Sequence, residues 1–194
     1  MARIAPLDPP YAPPVAGTLA AMMPPGLEPI ALFRTLAHNP RVLEKFRAGN
    51  LLDRGSIERR DRELVILRTT ARCGAEYEWG VHVAFFAARV GLSDAVVAAT
   101  ATAGADDPAW TPRDALLIRL SDALHDGATV SDELWMELAR EWSAAQLIEL
   151  IVLAGFYHTV SFVVNALQVE AEPFGARFPG ESTTDCTDEE NVSA

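Results

Sequence analysis

Apolar residues recur along most of the chain with the spacing of an amphipathic α-helix, and the apolar segments begin at residues that cap helices. Asn39 precedes Pro40, which combines a capping side chain with the proline favoured at the first helical position. Thr111 and Ser143 are each followed, three residues later, by a side chain that completes a capping box. No segment combines two-residue alternation with β-branched enrichment, as a strand would. The pattern therefore predicts an all-α fold.

Four further positions mark helix boundaries in the sequence. Ser56 is expected to cap a helix that runs through Arg68, and Gly91 is expected to end a later helix. Ser93 and Ser131 stand before the next apolar segments and are expected to cap them. Together these positions predict a bundle of short helices followed by one long final helix.

The long final helix contains residues 150–169, LIVLAGFYHTVSFVVNALQV, without a formal charge. About 20 apolar residues suffice to span a bilayer. However, this segment holds six polar side chains, and it is flanked by Glu149 and Glu170 rather than by basic anchors. A helix that is apolar all round must be covered by other protein. We therefore predict a buried helix in a soluble, oligomeric protein.

The overall composition narrows the class of protein. The chain has 194 residues, of which 49% are hydrophobic, enough for one domain with a sizeable core. Its formal net charge of −11 makes nucleic-acid phosphates and anionic membrane surfaces poor partners. The first residues contain no apolar signal-peptide core, and only two cysteines are present. We expect a cytoplasmic protein that binds neither nucleic acid nor a membrane.

Composition also divides the chain into three parts. Residues 1–26 are rich in proline and alanine, which predicts an extended arm that packs on a partner subunit or stays loose. The helical domain is expected over residues 27–176. Residues 177–194 end in DCTDEENVSA, with four acids and no base, which predicts a flexible acidic tail.

A weak internal similarity links the middle of the chain to its final helix. ELVIL begins at Glu63 and ELIVL begins at Glu149, and each is followed by a histidine, His82 after nineteen residues and His158 after nine. This similarity predicts two weakly similar helical repeats. The first copy is longer, and its additional residues include CGAEYEW. Insertions into one copy of a repeat often carry functional residues.

The segment RCGAEYEWGVH, residues 72–82, holds the residue types that proton chemistry uses. Glu78 and His82 are four residues apart and would share one face of a helix. Gly74 is expected to break the helix before them, which places Glu78 in a first turn where the helix dipole favours a carboxylate. The two residues are therefore either a catalytic pair or a helix-start acid beside a core histidine. No HExxH sequence or second nearby histidine supports a metal site, and Cys73 lacks a CxxC partner.

The segment RDRELVILRTTARCGAEYEWGVHVAFFAARVGLSD resembles the central motif of the carboxymuconolactone decarboxylase family, which includes the thiol alkylhydroperoxidases. LFRTLAHNPRVLEKF before it and LIELIVLAGFYHTVSFVVNALQVE after it are similar to the family too, so the resemblance covers roughly residues 27–172. The resemblance implies an all-helical bundle that assembles as a homotrimer or homohexamer, with active sites near subunit interfaces.

The peroxidase branch of this family carries a Glu, a CxxC pair and a His that follows the second Cys by four residues and the Glu by nineteen. Glu63 and His82 keep the nineteen-residue spacing, but Ala75 and Glu78 occupy the two thiol positions. Cys73 lies two residues before the first thiol position and does not replace it. The resemblance therefore implies a thiol-free member, in which thiol peroxidase chemistry is disfavoured.

The residues that remain at these positions suit proton transfer. The resemblance implies that His82 is the general acid or base, that Glu63 orients it, and that Glu78 is a second proton carrier or fixes the His82 tautomer. The expected substrate-binding residues are Arg68, Tyr77, Trp79 and Phe86, with Arg72 and Arg89 as further candidate anion contacts.

Three hypotheses about function follow. The first is a cofactor-free, metal-free lyase or isomerase that decarboxylates or isomerises a small lactone or carboxylate. The second is a non-catalytic member of the family that binds a small molecule or a partner protein. The third is an alkylhydroperoxidase-like oxidoreductase that uses Cys73.

Overall fold

A computed structural model of the chain describes residues 1–180. Every regular element within them is helical, which confirms the all-α prediction. The predictions for residues 181–194, most of the acidic tail, lie outside the described residues. The helices are α1 (Pro13–Met22), α2 (Ala31–Leu36), α3 (Pro40–Gly49), α4 (Arg59–Arg72), α5 (Glu76–His82, continued by a π-helical turn Val83–Ala87 and a 3₁₀ turn Ala88–Val90), α6 (Asp94–Thr102), α7 (Pro112–Gly127), α8 (Asp132–Glu141) and α9 (Ala144–Leu167).

Most predicted helix boundaries are confirmed. Five N-cap side chains accept a hydrogen bond from the first turn of their helix: Asn39, Ser93, Thr111, Ser131 and Ser143. Gly91 ends its helical turn in the left-handed region, with φ 73°. The prediction for Ser56 is wrong, because its backbone N–H and its hydroxyl both donate to Glu149 Oε2 at 2.6 Å and α4 begins only at Arg59.

Helix α4 lies at the centre of the fold and packs against α5, α6, α7 and α9. Its residues 64–67 are fully buried. Three ion pairs join α4 to α7, and the partners in each pair are 54 residues apart: Arg60–Asp114, Arg68–Asp122 and Arg72–Asp126. Because the separation is constant along both helices, α4 and α7 run parallel.

The N-terminal arm departs from the prediction of extended chain. Pro13 and Pro14 stand in the first turn of α1, where a missing N–H removes no intrahelical hydrogen bond, and the alanines that follow favour a helix. Val15 and Leu19 are buried in the common core, and α1 packs against α3. The arm is therefore part of the helical domain in the structure.

Helix α9 has one buried and one exposed apolar face. Leu150, Tyr157 and Val164 lie in the core, whereas Val152 and Phe162 are 52% and 65% exposed. Within residues 1–180, α9 is the one helix long and apolar enough to cross a membrane, and 44% of its apolar stretch is buried inside the structure. The prediction of a buried helix therefore holds for one face of α9 only.

The chain that follows α9 returns to pack on α5. The Ala176 N–H donates to the Gly80 carbonyl at 3.2 Å, and a Cβ atom at Gly80 would lie only 2.1 Å from the Ala176 oxygen. The Phe178 ring lies 5.2 Å from the Trp79 ring. Residues 177–180, which composition assigned to the tail, therefore pack on the domain and help to hold α5 in place.

Candidate active site

Gly74 allows α5 to fold back along α4. Its φ of 61° lies in the left-handed region that favours glycine. The reversal brings Glu63 of α4 into contact with His82 of α5, although nineteen residues separate them. Tyr157 of α9 closes the site from a third helix, with its ring edge-on to the imidazole at 5.1 Å between centroids.

His82 lies between two carboxylates. Its Nδ1 is 2.7 Å from Glu63 Oε2, and its Nε2 is 3.4 Å from Glu78 Oε1. The side chains of His82, Glu63 and Glu78 are 3%, 1% and 8% exposed. The structure therefore brings the three predicted catalytic residues together, with their side chains almost fully shielded from bulk solvent.

Arg62 is a fourth charged member of the site, and the sequence analysis did not single it out. Its Nε and Nη2 donate to Glu63 Oε1 at 3.0 and 2.9 Å, and its Nη1 donates to the Leu52 carbonyl at 2.9 Å. Both oxygens of Glu63 are therefore engaged, one by Arg62 and one by His82. In the sequence, the charged residues Asp61, Arg62 and Glu63 stand directly before an apolar helical segment, and this run was the available sign of a buried charged cluster. All three side chains are buried in the structure.

The neighbouring carboxylates set the protonation state of His82. Burial lowers the pKa of His82, but Glu63 and Glu78 outweigh burial and raise the pKa to about 9. Burial also acts to raise the pKa of Glu63, yet His82 and Arg62 hold that pKa below its ordinary value. The pKa of the Tyr157 hydroxyl is raised by burial and by the nearby carboxylates. Near neutral pH, His82 is therefore an imidazolium and Tyr157 is protonated.

Glu78 and His82 form the polar wall of a cavity of about 110 Å³. The remaining wall is mostly apolar and includes Met22 and Met23 from the N-terminal arm. Glu78 Oε2 is buried and has no hydrogen-bond partner among the described residues. One oxygen of a carboxylate in the cavity wall therefore has no hydrogen-bond partner among the described residues.

A larger groove of about 820 Å³ adjoins this cavity. Met23, Ile30, Phe85 and Arg89 line both spaces. Arg89 is exposed, and within residues 1–180 its guanidinium forms no ion pair. A ligand could therefore place a small reacting group beside His82 and an anionic group beside Arg89.

The predicted substrate-binding residues divide into those at the cavity and those away from it. Phe86 lines the cavity, with its ring 5.1 Å from the His82 ring. The prediction for Arg68 is wrong, because its Nε and Nη2 are held by Asp122 at 2.6 and 2.8 Å and its Nη1 donates to two backbone carbonyls. Arg68 therefore has a structural role between helices.

Tyr77 and Trp79 also face away from the His82 cavity, contrary to the prediction. The Tyr77 hydroxyl donates to Glu172 Oε1 at 2.7 Å, and the Trp79 Nε1–H donates to Thr100 Oγ1 at 2.9 Å. Neither side chain is among those that line the cavity beside His82. Both aromatic residues are core residues that position α5.

Cys73 lies outside the His82 site. Its sulfur is 3.6 Å from His125 Nδ1, and burial raises the pKa of its thiol. A thiol with a raised pKa is a poor nucleophile. These two observations disfavour the hypothesis of an oxidoreductase that uses Cys73, which stays a prediction.

A family model described as the carboxymuconolactone decarboxylase family matches residues 38–118. The matched region contains Glu63, Glu78 and His82, together with Arg62. A comparison with curated protein sequences gave no match.

Several solved structures share the fold. An uncharacterized peroxidase-related protein from Silicibacter sp. superposes with a TM-score of 0.75 at 13% identity, covering 87% of this chain and 90% of that one. An uncharacterized peroxidase-related protein from Ralstonia eutropha, an alkylhydroperoxidase AhpD core, gives 0.64 at 14% identity, covering 88% and 93%. The debrominase Bmp8, in a Cys-to-Ala variant bound to 2,3,4-tribromopyrrole, gives 0.69 at 18% identity, covering 88% and 92%. At these identities the likeness shows the fold alone.

Proposed function

We propose that the chain, whose residues 38–118 match the carboxymuconolactone decarboxylase family model, is a member of that family and a cofactor-free enzyme that decarboxylates or isomerises a small lactone or carboxylate by proton transfer. The observation that carries this proposal is the position of His82. The imidazole lies between two carboxylates, at the wall of an apolar cavity, and one oxygen of Glu78 has no partner among the described residues. Such an arrangement suits proton donation and removal inside a ligand-sized space.

The protonation states assign different roles to the two groups that face the cavity. With its pKa raised to about 9, His82 is charged at neutral pH and acts as the general acid. Glu63 holds the Nδ1–H, which directs the Nε2–H toward Glu78 and the cavity. Glu78 is the second proton carrier, since it reaches both the imidazole and the cavity.

Decarboxylation needs one proton from the enzyme. The bond between the carboxylate carbon and its neighbour breaks, carbon dioxide leaves, and the electron pair passes into the enolate of the lactone. His82 Nε2 then gives its proton to the enolate carbon, and solvent returns a proton to the imidazole. Isomerisation uses the same groups, with Glu78 taking a proton from one carbon and the pair returning it to another.

Arg89 is the proposed anchor for the substrate carboxylate. It is the arginine that lines both the cavity and the adjoining groove, and it is exposed. A guanidinium binds a carboxylate through two parallel hydrogen bonds. The cavity beside His82, at about 110 Å³, is small for a drug-sized ligand, so the reacting part of the substrate should be compact.

A homo-oligomer is part of the same proposal. The exposed face of α9 carries Ile148, Val152 and Phe162, which are 64%, 52% and 65% exposed. A contiguous apolar face of this kind is typical of a subunit interface. Light scattering of the purified protein should give the mass of a trimer or hexamer.

The proposed activity is tested by proton exchange with solvent. The protein is incubated in D2O with a panel of small lactones and carboxylates, and NMR follows deuterium at the reacting carbons. Decarboxylation places one deuterium on the product carbon, and isomerisation exchanges the substrate carbon. His82→Gln should abolish this incorporation, and His38→Gln, at an exposed histidine, should leave it unchanged. Ligands that bind to the wild-type protein without any exchange would favour a non-catalytic binding role instead.

A further inference from the structure

A second cluster of potential ligands lies outside the His82 site. Cys73 follows the last residue of α4, His125 lies in the last turn of α7, and His158 lies in the middle of α9. The three residues are separated by 52 and 33 positions along the chain, which is why no sequence spacing indicated a metal site. Their ligand atoms all lie within 4.8 Å of one another, and all three side chains are half-buried.

The distances between the ligand atoms match those of a tetrahedral metal site. His125 Nδ1 is 3.6 Å from Cys73 Sγ and 3.1 Å from His158 Nε2. Zinc–nitrogen bonds of about 2.0–2.1 Å and zinc–sulfur bonds of about 2.3 Å place tetrahedral donors roughly 3.3–3.6 Å apart. The three atoms need only small movements to share one ion.

The orientation of His158 supports the same conclusion. Its Nδ1 lies 2.9 Å from the Ala154 carbonyl, so Nδ1 carries the hydrogen and donates it. The neutral ring then has its lone pair on Nε2, the atom that faces His125. Metal-ligating histidines are held in this way by a hydrogen bond from the other ring nitrogen.

The surrounding charges also favour a cation. Cys73 and His125 stand at the carboxyl ends of α4 and α7, where the helix dipoles place partial negative charge. Arg72 is the nearby positive charge, and it is paired with Asp126 at 2.5 Å and with Asp122 at 3.6 Å. These two carboxylates offset the charge of Arg72, so Arg72 does not prevent a cation from binding at the cluster.

We propose that Cys73, His125 and His158 bind one Zn²⁺ ion through Sγ, Nδ1 and Nε2, with solvent as the fourth ligand. A mixed set of one thiolate and two imidazoles is the donor chemistry that zinc prefers. Binding replaces the thiol hydrogen by the metal, so each Zn²⁺ bound releases one proton to solvent. The ion would tie α4, α7 and α9 together. This site is separate from the proposed proton-transfer site, and its test needs no enzymatic activity.

Co²⁺ is the spectroscopic probe for this site. A Cys186→Ser variant of the full chain removes the other cysteine and serves as the reference protein. After chelation and dialysis, titration with Co²⁺ should give one ion per chain, an intense tetrahedral visible spectrum and a near-ultraviolet thiolate-to-cobalt band. Zn²⁺ should displace Co²⁺ and remove both signals.

Ligand variants are compared in the same background. Cys73→Ser should abolish the thiolate band, and His125→Gln and His158→Gln should each weaken Co²⁺ binding at least tenfold. His38→Gln is the matched control and should bind like the reference. Circular dichroism checks that each variant keeps its helical content. A variant that binds Co²⁺ like the reference would overturn the assignment of that ligand.

A second measurement requires no ligand variant. The rate at which iodoacetamide alkylates Cys73 is measured in the Cys186→Ser protein, with and without Zn²⁺. Coordination of the sulfur should slow alkylation at least tenfold. An unchanged rate, or the absence of a thiolate-to-cobalt band in the Cys186→Ser protein, would show that the two histidines form only a hydrogen-bonded pair.

Discussion

The His82 imidazole donates to the Glu63 carboxylate over 2.7 Å from Nδ1 to Oε2, and the two side chains are 3% and 1% exposed. A charge pair this deeply buried persists only when its remaining polar atoms are also satisfied. The other oxygen of Glu63 accepts two hydrogen bonds from Arg62. The proposed acid is therefore part of a fixed network rather than a free side chain.

Replacing Glu63 tests this network through stability. Glu63→Gln keeps the shape of the side chain but leaves Arg62 buried without its counter-charge and leaves the His82 imidazolium with only the longer contact to Glu78. We expect the free energy of unfolding to fall by about 3–5 kcal/mol in urea denaturation. Glu44→Gln, which removes an exposed partner of Arg47, is the control and should unfold almost like the wild type. Equal midpoints for the two variants would contradict the buried network.

Replacing Glu78 should separate chemistry from folding. Glu78→Gln keeps the shape at the cavity wall but cannot carry a proton, so turnover should fall by about 10²–10⁴-fold. Its contact with His82 is longer, at 3.4 Å, and its second oxygen has no described partner, so stability should change much less than in Glu63→Gln. Steady-state kinetics and urea denaturation measure the two effects, and undiminished turnover would remove Glu78 from the mechanism.

The pKa of His82 predicts how stability depends on pH. In the unfolded chain this pKa is about 6.5, and in the folded protein it is raised to about 9. Protonation of His82 therefore stabilises the folded protein. This stabilisation is complete below pH ~6.5 and is lost as the pH rises through about 9. The total change is about 3 kcal/mol in the free energy of unfolding. The lowered pKa of Glu63 acts at the other end, so that stability is also lost as the pH falls below about 4.5.

Urea denaturation at pH 6, 8 and 10 measures the alkaline change. His82→Gln should remove most of the slope between pH ~6.5 and ~9, because the group that titrates is gone. A wild-type protein as stable at pH 10 as at pH 6 would contradict the raised pKa.

The contact between Glu63 and His82 was predictable from the sequence. The nineteen-residue spacing came from the family resemblance, and Gly74 marked the break that lets one helix reverse onto the next. Glu78 followed from helical spacing alone, since residues four apart share a face. Local rules therefore sufficed where the contacts were local or where the family supplied the spacing.

Other parts of the site depend on distant packing that no local rule contains. Arg68 was misassigned because its partner, Asp122, lies 54 residues away on a helix whose parallel direction the sequence does not show. Tyr157 reaches His82 from α9, and Met22 and Met23 reach the cavity from an arm predicted to be extended. The proline-rich start conceals α1 because proline is compatible with the first turn of a helix.

Two arginines offer a paired test of substrate binding. Arg89→Gln should raise the KM for carboxylate substrates about tenfold, the loss of one charge-assisted contact, without changing stability. Arg68→Gln should instead lower the free energy of unfolding by about 3 kcal/mol and leave KM nearly unchanged. It removes the close partner of Asp122, which keeps only the longer 3.6 Å contact with Arg72, and it removes the donor to two backbone carbonyls. If Arg68→Gln raised KM and Arg89→Gln lowered the stability instead, Arg68 would be the substrate contact.

The central claim is that His82 is a buried imidazolium held ready as an acid, and an NMR titration of the histidine ring signals tests it most directly. The chain has four histidines, so the His82→Gln spectrum identifies the signal. We predict a titration midpoint for His82 of about 9 in the wild-type protein, shifted downward in Glu63→Gln. A midpoint at or below ~6.5, the value of an unperturbed histidine, would contradict the account.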